Sequence, residues 1–426
     1  MYNVVRGNMK IHYSISELAD MLSVSKETLR RWDKNGQLKP IRHPINNYRV
    51  YHKDQLRCFE KLGFLFQKRE EVQELPLQQY KVIELFAGGG GLALGLEKSG
   101  LQCIMLNDID KWACETLKKN RPHWNVIHKD ISKIDFTPYK GALDIMTGGF
   151  PCQSFSYAGK KLGFNDIRGT LFYEYARAVK EVQPAICIGE NVRGLVNHEN
   201  GRTIQAMKDI LTELGYTVLE PKILKAIFYR VPQKRERLVI VAIRNDLAHL
   251  PFSYPEPHTK IYTLKDALKK GELFNADVSA SSGQKYPKRK AEIMSLVPPG
   301  GYWRDLPLEL QKEYMLKSYY LGGGKTGMAR RMSWDEPCLT LTCAPAQKQT
   351  ERCHPEETRP FTVKEYARIQ TFPDNWEFMG TLINQYKQIG NAVPVNLAYE
   401  IGCSIVKFMN QLQNKEEHTF KLNNAA

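Results

Sequence analysis

The feature that most limits how this chain can fold is a regular alternation that begins at Tyr80. Short apolar runs such as KVIEL, CIMLND and AICIGENV are separated by stretches with the apolar periodicity of amphipathic helices. Strands and helices that alternate in this way favour a parallel sheet covered by helices on both faces. We therefore predict a doubly wound α/β sheet, with helices to Ser99 and Asn120 and over 170–182 and 202–214.

The chain carries a strong excess of positive charge. Its 426 residues include 61 Lys and Arg against 46 Asp and Glu, which gives a net charge of +15. Such an excess suits a polyanionic partner, and nucleic acid is the commonest one. A hydrophobic content of 42% is usual for a globular protein. The sequence shows neither an apolar leader nor an apolar run of membrane length, so we expect a cytoplasmic protein.

Nine cysteines are scattered along the chain without a CxxC pair. An odd number without paired spacing argues against a disulfide framework or a zinc finger and fits a reducing compartment. The nearest approach to a metal cluster is Cys338, Cys343, Cys353 and His354, whose spacing matches no zinc pattern. We therefore predict no metal site.

A small helical module precedes the alternating region. SISELADML combines Ser14 with Glu17 in a capping-box pattern, which predicts a first helix. Ser25 is placed to cap a second, basic helix that is expected to end at Gly36. With the Pro/Asn-rich wing that follows, residues 1–70 resemble the winged helix-turn-helix of the mercury-resistance-regulator (MerR) family. A three-helix interaction module with a solvated basic face is the alternative. The resemblance implies DNA contacts by Lys26, Arg30 and Arg31.

The segment VIELFAGGGGLALGLEKSG predicts a strand, a glycine-rich turn and a helix. Its glycines let the chain turn tightly and let a ligand approach bare backbone at the helix N-terminus. Asp108, at the end of the next predicted strand, can accept hydrogen bonds from ribose hydroxyls, so we expect a nucleoside ligand. Ala93 stands where a dinucleotide fingerprint has its third glycine. The spacing alone leaves a dinucleotide and S-adenosylmethionine both open.

The stretch GGFPCQSFS places Cys152 just after the predicted strand LDIMTGG, and Glu190 lies at the end of AICIGENV. Reacting groups in open α/β sheets gather at the carboxyl ends of strands. A thiol and a carboxyl at adjacent strand ends can serve as nucleophile and proton donor. A lone cysteine in a turn is nevertheless more often an inert thiol, and the position alone does not decide.

Six ordered motifs decide between these interpretations. FAGGGG, GFPCQSFS, ENV at 190–192, QKRER at 233–237, RPFTVKEYARIQTFPD at 359–374 and QIGNAVP at 388–394 follow the order typical of DNA (cytosine-5) methyltransferases. The chain resembles that family over residues 80–405. The resemblance implies a Rossmann-like, S-adenosylmethionine-dependent methyltransferase domain with a mixed, mainly parallel sheet and a smaller target-recognition domain.

The resemblance also assigns catalytic roles. Cys152 would add to carbon 6 of cytosine and so activate carbon 5 for methylation. Glu190 would hydrogen-bond or protonate ring nitrogen 3, and Arg235 would hold the exocyclic oxygen of the base. Gln153 and Arg237 belong to the same motifs and are expected in the catalytic site. Because the target atom is buried in duplex DNA, the nucleotide must be flipped out of the stack.

In the same way the resemblance implies a site for S-adenosylmethionine. Asp108 would bind its ribose, Ile109 would pack on its adenine and Asp130 would meet the adenine amino group. Residues far along the chain would complete the pocket, which predicts that the C-terminal helix folds back on the N-terminal half of the sheet. The full predicted set is Phe86, Gly88, Gly90, Gly91, Asp108, Ile109, Asp130, Ile131, Asn391 and Val393.

Residues 246–354 occupy the place at which this family carries its target-recognition region. The segment YYLGGGKTGMARR combines aromatics, a glycine loop and basic residues, as expected of a loop that enters a DNA groove. Arginine most often reads guanine, which indicates a G/C-containing site. A glycine-rich, basic segment at 156–169 is expected to close on the DNA. The predicted DNA contacts outside the N-terminal module are Ser156, Arg168, Gln233, Arg330 and Arg331.

These interpretations divide the chain into a helix-turn-helix domain (1–70), a linker (71–79), a catalytic domain (80–245 with 355–410), a target-recognition region (246–354) and a polar tail (411–426). Family habit implies the modification enzyme of a restriction–modification system, with duplex DNA as partner and a cognate endonuclease as a functional, non-physical counterpart. We expect a monomer on DNA through the catalytic domain and leave dimerisation through the N-terminal domain open. That domain is hypothesised to bind the operator of the enzyme's own operon.

Two alternatives stay open at this point. The tRNA-methylating relatives of the family share the Pro-Cys and ENV motifs, but they usually carry a Cys-Phe-Thr motif that this sequence lacks. A transcription regulator with a non-catalytic methyltransferase scaffold is the second alternative. The intact Cys152 and Glu190 argue against it.

Overall fold

The computed structural model describes residues 11–42, 47–67, 74–151 and 170–425, with side chains described to residue 415. Cys152, Gln153, Ser156, Arg168 and the predicted closing segment at 156–169 lie outside these ranges. Nowhere in the described ranges is a helix both long and apolar enough to cross a membrane. The eight cysteines within them are free thiols, and within them no three metal-ligating side chains come together.

The N-terminal module is a helix-turn-helix with a small antiparallel sheet. Its capping box is confirmed, because Glu17 N donates to Ser14 Oγ at 3.2 Å and Ser14 N donates to Glu17 Oε2 at 2.9 Å. Gly36 follows the second helix with φ +72°, as predicted for a residue that ends it. A first strand, too short to leave a signal in the sequence, pairs with the wing. The elements are β1 (His12–Ser14), α1 (Ile15–Leu22), α2 (Lys26–Lys34), β2 (Ile41–Arg42) and β3 (Arg49–His52).

The predicted alternation of strands and helices is confirmed from residue 80 onward. Thr170 caps the helix that was expected to begin there. The elements of this part are β4 (Lys81–Leu85), α3 (Gly91–Lys98), β5 (Gln102–Asp108), α4 (Lys111–Asn120), β6 (Val126–His128), β7 (Ile145–Gly148), α5 (Leu171–Val182), β8 (Ile186–Val192), α6 (Arg202–Glu213), β9 (Tyr216–Val218), β10 (Lys222–Lys225), β11 (Gln233–Lys234) and β12 (Glu236–Arg244).

These strands build a mixed, mainly parallel sheet. Its order is β10-β12-β8-β7-β4-β5-β6, and β9 also pairs with β12. β4 to β8 run parallel to one another, whereas β12 is antiparallel to both β8 and β10. The central strands are buried on both faces, as expected for a sheet covered by helices on each side. The sheet class predicted from the resemblance is therefore confirmed.

Residues 246–354 contain α7 (Leu264–Leu268), α8 (Lys288–Ser295), α9 (Leu308–Met315) and β13 (Cys338–Leu339). A separate apolar cluster extends from Tyr286 to Cys353, whereas α7 belongs to the large core that also covers one face of the main sheet. The independent core of this region is thus smaller than the predicted target-recognition region. β13 pairs in parallel with β11, so the C-terminal part of the region is attached to the segment just before β12.

The N-terminal module packs directly on the catalytic domain. Its apolar residues belong to the same large cluster as those of the sheet. The ring of Phe64 meets that of Phe228 edge-on with centroids 5.1 Å apart. Lys225 Nζ donates to Met21 O at 2.8 Å. The module therefore sits beside β10 and the start of β12.

The C-terminal part folds back onto the N-terminal half of the sheet, as predicted. It consists of α10 (Val363–Ile369), α11 (Leu382–Asn391) and α12 (Val395–Ala425). α12 lies against α3, and a Cβ built on Gly95 would stand 2.3 Å from Ala398 Cβ. The glycine permits this close approach of two helices. α12 continues through the polar tail at 411–425, because that segment contains neither glycine nor proline to end a helix.

We expect Gly95→Ala to destabilise the protein, because the new methyl group would lie 2.6 Å from Tyr399 N as well as against Ala398. Overpacking of this kind costs about 1–3 kcal/mol of the free energy of unfolding. Urea unfolding followed by circular dichroism measures the loss. Gly63→Ala is the matched control, because its Cβ would meet nothing within 4 Å. Equal stability of the two variants would contradict the close packing of α3 on α12.

Candidate active site

A cavity of about 710 Å³ opens at the carboxyl edge of the sheet. Its wall is formed by the chain just after β4, β5, β6 and β7 and by the last residues of β8. β4 lies between β5 and β7, so the chain leaves β4 toward one side and later returns on the other. Such a reversal opens the crevice in which doubly wound sheets bind their ligands.

The turn after β4 is built from left-handed backbone. The φ angle is +60° at Phe86, +54° at Gly88 and +87° at Gly90. Gly88 N donates to Asp108 Oδ2 at 2.7 Å, which ties the turn to the end of β5. A Cβ built on Gly88 would meet nothing within 4 Å, so its backbone faces open cavity. A ligand can therefore approach bare backbone here, as the sequence predicted.

A partly buried acid, Asp108, and a fully buried one, Glu84, stand beside this turn. Asp108 also accepts from Asp110 N at 2.8 Å, and burial raises the pKa of its carboxyl despite these hydrogen bonds. Its oxygens retain lone pairs for ribose hydroxyls. Glu84 of β4 is 1% exposed, and its Oε2 has no hydrogen-bond partner among the described residues. Burial, and then the charges of Asp108 and Glu190, raise the pKa of Glu84 well above its usual value.

Sequence reasoning missed Glu84, although a signal was present. The residue is the one acid in the apolar run KVIEL, and a charged side chain inside a doubly buried strand needs a partner. In this structure that partner can only come from the cavity side, where the carboxyl lines the wall. The acid therefore favours a ligand that carries a cationic or hydrogen-bond-donating group.

The C-terminal part closes the cavity from the opposite side. Lys387 Nζ lies 2.9 Å from Asp110 Oδ2, which connects α11 to the start of α4. Gln388 accepts from Thr116 Oγ1 at 2.6 Å, and Asn391 accepts from Cys343 Sγ at 3.0 Å. These contacts place the end of α11 over the glycine turn.

The structure brings most of the predicted cofactor residues to this one cavity. The exception is Gly90, whose Cβ would lie 2.6 Å from Leu117 Cδ2 and so faces α4. Gly90 serves the turn rather than the wall. Ile109 is 69% exposed at the rim, which leaves an apolar side chain for a ligand to cover. The lining residues are Phe86, Gly88, Gly91, Asp108, Ile109, Asp130, Ile131, Asn391 and Val393.

Glu190 and Arg237 form a buried ion pair on the same wall. β8 and β12 are antiparallel neighbours, and their register brings Arg237 Nε to 2.5 Å from Glu190 Oε1. Both side chains are almost fully buried. Burial raises the pKa of Glu190, and the Arg237 guanidinium opposes that rise. The carboxyl therefore holds its proton more strongly than an ordinary glutamate does.

The chain before Cys152 passes directly beside this pair. A Cβ built on Gly149 would lie 3.1 Å from Glu190 Oε2. Asn191 Nδ2 donates to Phe150 O at 2.8 Å and holds the backbone just before Pro151, which lines the cavity. The predicted nucleophile itself lies outside the described residues. The described chain nevertheless reaches the cavity wall at the residue before it.

Arg235 is held differently from what the sequence predicted. Its side chain is buried, and its terminal nitrogens donate to Leu341 O at 3.1 Å and Gly390 O at 2.8 Å. These two hydrogen bonds attach Arg235 to the segments around Leu341 and Gly390, which line the cavity. Nε is left without a hydrogen-bond partner among the described residues. A guanidinium carries five N–H donors, so Arg235 keeps donors beyond these two bonds.

Two predicted DNA contacts are wrong, because the structure buries them. Gln233 Nε2 donates to Gln370 Oε1 at 2.9 Å, and its Oε1 accepts from Leu341 N at 3.0 Å. Arg331 donates to Met294 O at 2.7 Å and to three further acceptors, on His354, Pro355 and Thr358. Buried donors satisfied by protein acceptors are not free to meet DNA. Both side chains instead brace the scaffold.

The other described DNA contacts stay predictions. Arg330 is partly buried, with its guanidinium 6.0 Å from the Tyr302 ring centroid. Arg30 and Arg31 are exposed on α2, and Arg30 is paired with Glu27 of the same helix. Lys26 is already engaged, since its Nζ lies 2.7 Å from Glu336 Oε1 of the recognition region.

The fold and the cavity together define a class. The protein has the α/β architecture of enzymes that bind ligands at the carboxyl edge of the sheet, and the buried Glu190 lines its cavity there.

Comparison with known proteins narrows this class to a family. Residues 80–407 match the family model of C-5 cytosine-specific DNA methylases, and residues 14–51 match that of MerR family regulatory proteins. The chain belongs to the C-5 cytosine-specific DNA methylase family and is a DNA (cytosine-5) methyltransferase, with a MerR-like domain at its N-terminal end.

Similar proteins span almost the whole chain. It is 64% identical to the Type II methyltransferase M.Eco47II of Escherichia coli, over 96% of this chain and 98% of that one. It is 58% identical to the Type II methyltransferase M.PspPI of Psychrobacter sp. (strain TA137), over 94% and 97%. A solved structure described as a DNA modification methyltransferase from an E. coli prophage aligns with TM-score 0.60 at 23% identity, covering 78% of this chain and all of that one, which supports the fold.

We expect Gly88→Ala and Gly91→Ala to separate ligand binding from stability. A methyl group on Gly88 would enter the cavity at a positive φ, whereas one on Gly91 would lie 2.2 Å from Val393 O. Gly88→Ala should weaken ligand binding about 10-fold, or about 1.4 kcal/mol, because its methyl group would occupy space that the ligand needs. Calorimetric titration with S-adenosylmethionine measures the binding, and Tm measures the stability. Gly91→Ala should lose more stability than Gly88→Ala, and the reverse order would contradict the placement of the turn.

Proposed function

We propose that this methyltransferase moves the methyl group of S-adenosylmethionine to carbon 5 of a cytosine flipped out of a specific duplex DNA site. The observation that carries the proposal is that one cavity holds both sets of groups. The Glu190–Arg237 pair lines one wall, and the glycine turn with Asp108 lines the other. A base and a methyl donor bound there would meet face to face.

The cavity suits S-adenosylmethionine. Asp108 would accept from its ribose, the exposed Ile109 would lie on its adenine, and bare backbone at Gly88 leaves it room. The unpartnered Glu84 Oε2 is placed to face the cationic end of the molecule. When bound, S-adenosylmethionine supplies the electrophilic methyl group. The protein supplies position and a water-poor wall.

Cys152 would provide the nucleophile. Its thiolate adds to carbon 6 of the cytosine, and the ring electrons shift toward carbon 5 and ring nitrogen 3. Carbon 5 then takes the methyl group, a base removes the carbon 5 proton, and the thiolate leaves again. Hydrogen bonds from Asn191 to Phe150 O fix the chain two residues before the thiol. The wall beside Gly149 brings Glu190 to the same place.

Glu190 would serve ring nitrogen 3. A carboxyl with a raised pKa keeps its proton at pH values at which an ordinary glutamate has lost it, so it can donate to the ring. Arg237 holds that carboxyl in place and limits the shift. Arg235, which lines the cavity and keeps unused N–H donors, would donate to the exocyclic oxygen of the base.

Cys152→Ser should abolish methyl transfer, because a hydroxyl is a far poorer nucleophile than a thiolate at neutral pH. Transfer of labelled methyl groups to genomic duplex DNA measures the rate, and bisulfite sequencing gives the modified base and its site. We expect a loss of about 10³-fold or more, since the rate depends on the covalent step.

Cys58→Ser is the matched control for this experiment, because Cys58 is an exposed thiol of the N-terminal module. It should retain full activity. Methylation by the Cys152→Ser protein at the wild-type rate would contradict the covalent route. Label that enters tRNA but not duplex DNA would contradict the choice of substrate.

We also propose a biological setting. The two relatives described above are named Type II methyltransferases, which favours the modification half of a restriction–modification system for this chain. The MerR-like domain presents Arg30 and Arg31 to solvent on its second helix, the element that enters the major groove in helix-turn-helix proteins. We infer that it also binds the operator of the enzyme's own operon.

The double substitution Arg30→Ala with Arg31→Ala in the full chain should weaken binding to DNA from upstream of its own gene. The expected loss is about 10-fold or more, because each lost phosphate contact removes a share of the electrostatic attraction. Band-shift titration at fixed salt measures it. Lys118→Ala with Lys119→Ala, an exposed basic pair on α4, is the matched control. Unchanged operator binding by the Arg30/Arg31 variant would contradict autoregulation.

A further inference from the structure

The segment 233–237 presents two faces with different partners. Arg235 and Arg237 line the cavity on one side. On the other side, Lys234 contacts Asp20 and Glu236 contacts Ser23, both of the N-terminal module. The segment that carries Arg235 and Arg237 is therefore held by the N-terminal module on the side away from the cavity.

Lys234 is held in a network of charged side chains from three parts of the chain. Lys234 Nζ lies 3.0 Å from Asp20 Oδ1 of α1 and 3.3 Å from Glu336 Oε2 of the recognition region. The same Glu336 binds Lys26 of α2 at 2.7 Å and accepts from Ser16 Oγ at 3.2 Å. The carboxylate of Glu336 thus joins the N-terminal module, the catalytic strand and the recognition region.

Glu236 makes a second contact of the same kind. Its Oε1 accepts from Ser23 Oγ at 3.4 Å, and its Oε2 lies 2.7 Å from Arg193 Nη1, just after β8. Glu190 stands at the end of that same β8. The module therefore contacts β12 at Glu236, and Glu236 in turn contacts the chain just after β8.

The network is too sheltered to count as an ordinary surface ion pair. The side chains of Lys234, Asp20 and Glu336 are 21%, 16% and 23% exposed. The two lysines hold the pKa of Glu336 at about 2 despite its burial, so this carboxylate is charged throughout the physiological range. Removal of Asp20 or Glu336 would take one of its two anionic partners from the half-buried Lys234, and the segment around Lys234 would shift to relieve the imbalance.

We propose that the N-terminal module is a positioning element for methyl transfer, which holds the catalytic arginines in register with Glu190 through Asp20, Lys234 and Glu336. The inference rests on the proposed function, in which Glu190 and the arginines contact the target base. Lys234 O also accepts from Thr340 Oγ1, and Arg235 is bound to the next residue, Leu341. Movement of Lys234 would therefore displace both sides of the base pocket.

Asp20→Asn and Glu336→Gln in the full chain test this idea. Each should lower the single-turnover rate of methyl transfer, at saturating DNA and S-adenosylmethionine, by about 10- to 100-fold, the cost of a small misplacement of reacting groups. Because both changes remove negative charge, DNA affinity should stay the same or rise. The double variant should be slower than either single variant, because it leaves Lys234 with neither of its two anionic partners.

Glu181→Gln is the matched control, because Glu181 is an ion-paired carboxylate with 24% exposure on α5, remote from the strand. It should keep the wild-type rate at a similar loss of Tm. A wild-type rate in both test variants, with only Tm lowered, would overturn the inference. So would a rate loss that higher DNA concentration fully restores. A wild-type protein that transfers no methyl group to DNA would overturn the proposed function and this inference together.

Discussion

The reversal of strand order at β4 is the constraint on which the rest of the site depends. Parallel strands all end at one edge of the sheet, and a chain that leaves β4 on one side and returns on the other leaves a crevice there. The glycine turn, Asp108 and Glu190 all lie at strand ends and so meet in that crevice. No single motif creates the cavity, because each contributes only the end of its own strand.

Local patterns foretold local structure well. The alternation of apolar runs, the capping box of Ser14 and the glycine turn all depend on neighbours within a few residues, and each is confirmed. Gln233 and Arg331 were misjudged for the opposite reason. Their partners lie far along the chain, as Gln370 does for Gln233, and a sequence cannot tell a buried polar residue with a distant partner from an exposed one. The thiol of Cys152 lies outside the described residues, so its role still rests on the resemblance.

The N-terminal module shows the same limit at the level of domains. Its helix-turn-helix pattern is readable in the sequence, and a family model matches it. Its attachment to the catalytic strand is not readable, because Asp20, Lys234 and Glu336 are ordinary charged residues until the fold brings them together. A module that matches a family of regulatory proteins is here packed against the catalytic part of an enzyme.

The close packing of α12 on α3 has a consequence for the newly made chain. The glycine turn, Asp108 and Pro151 of the cavity wall are synthesised early. Asn391 and Val393, which close the cavity, follow about 240 residues after Pro151. At about 5–20 residues per second, that interval is on the order of tens of seconds. During this interval the glycine turn and Asp108 lack the residues that close the cavity over them. A fragment that stops before Asn391 therefore lacks the residues that close the cavity.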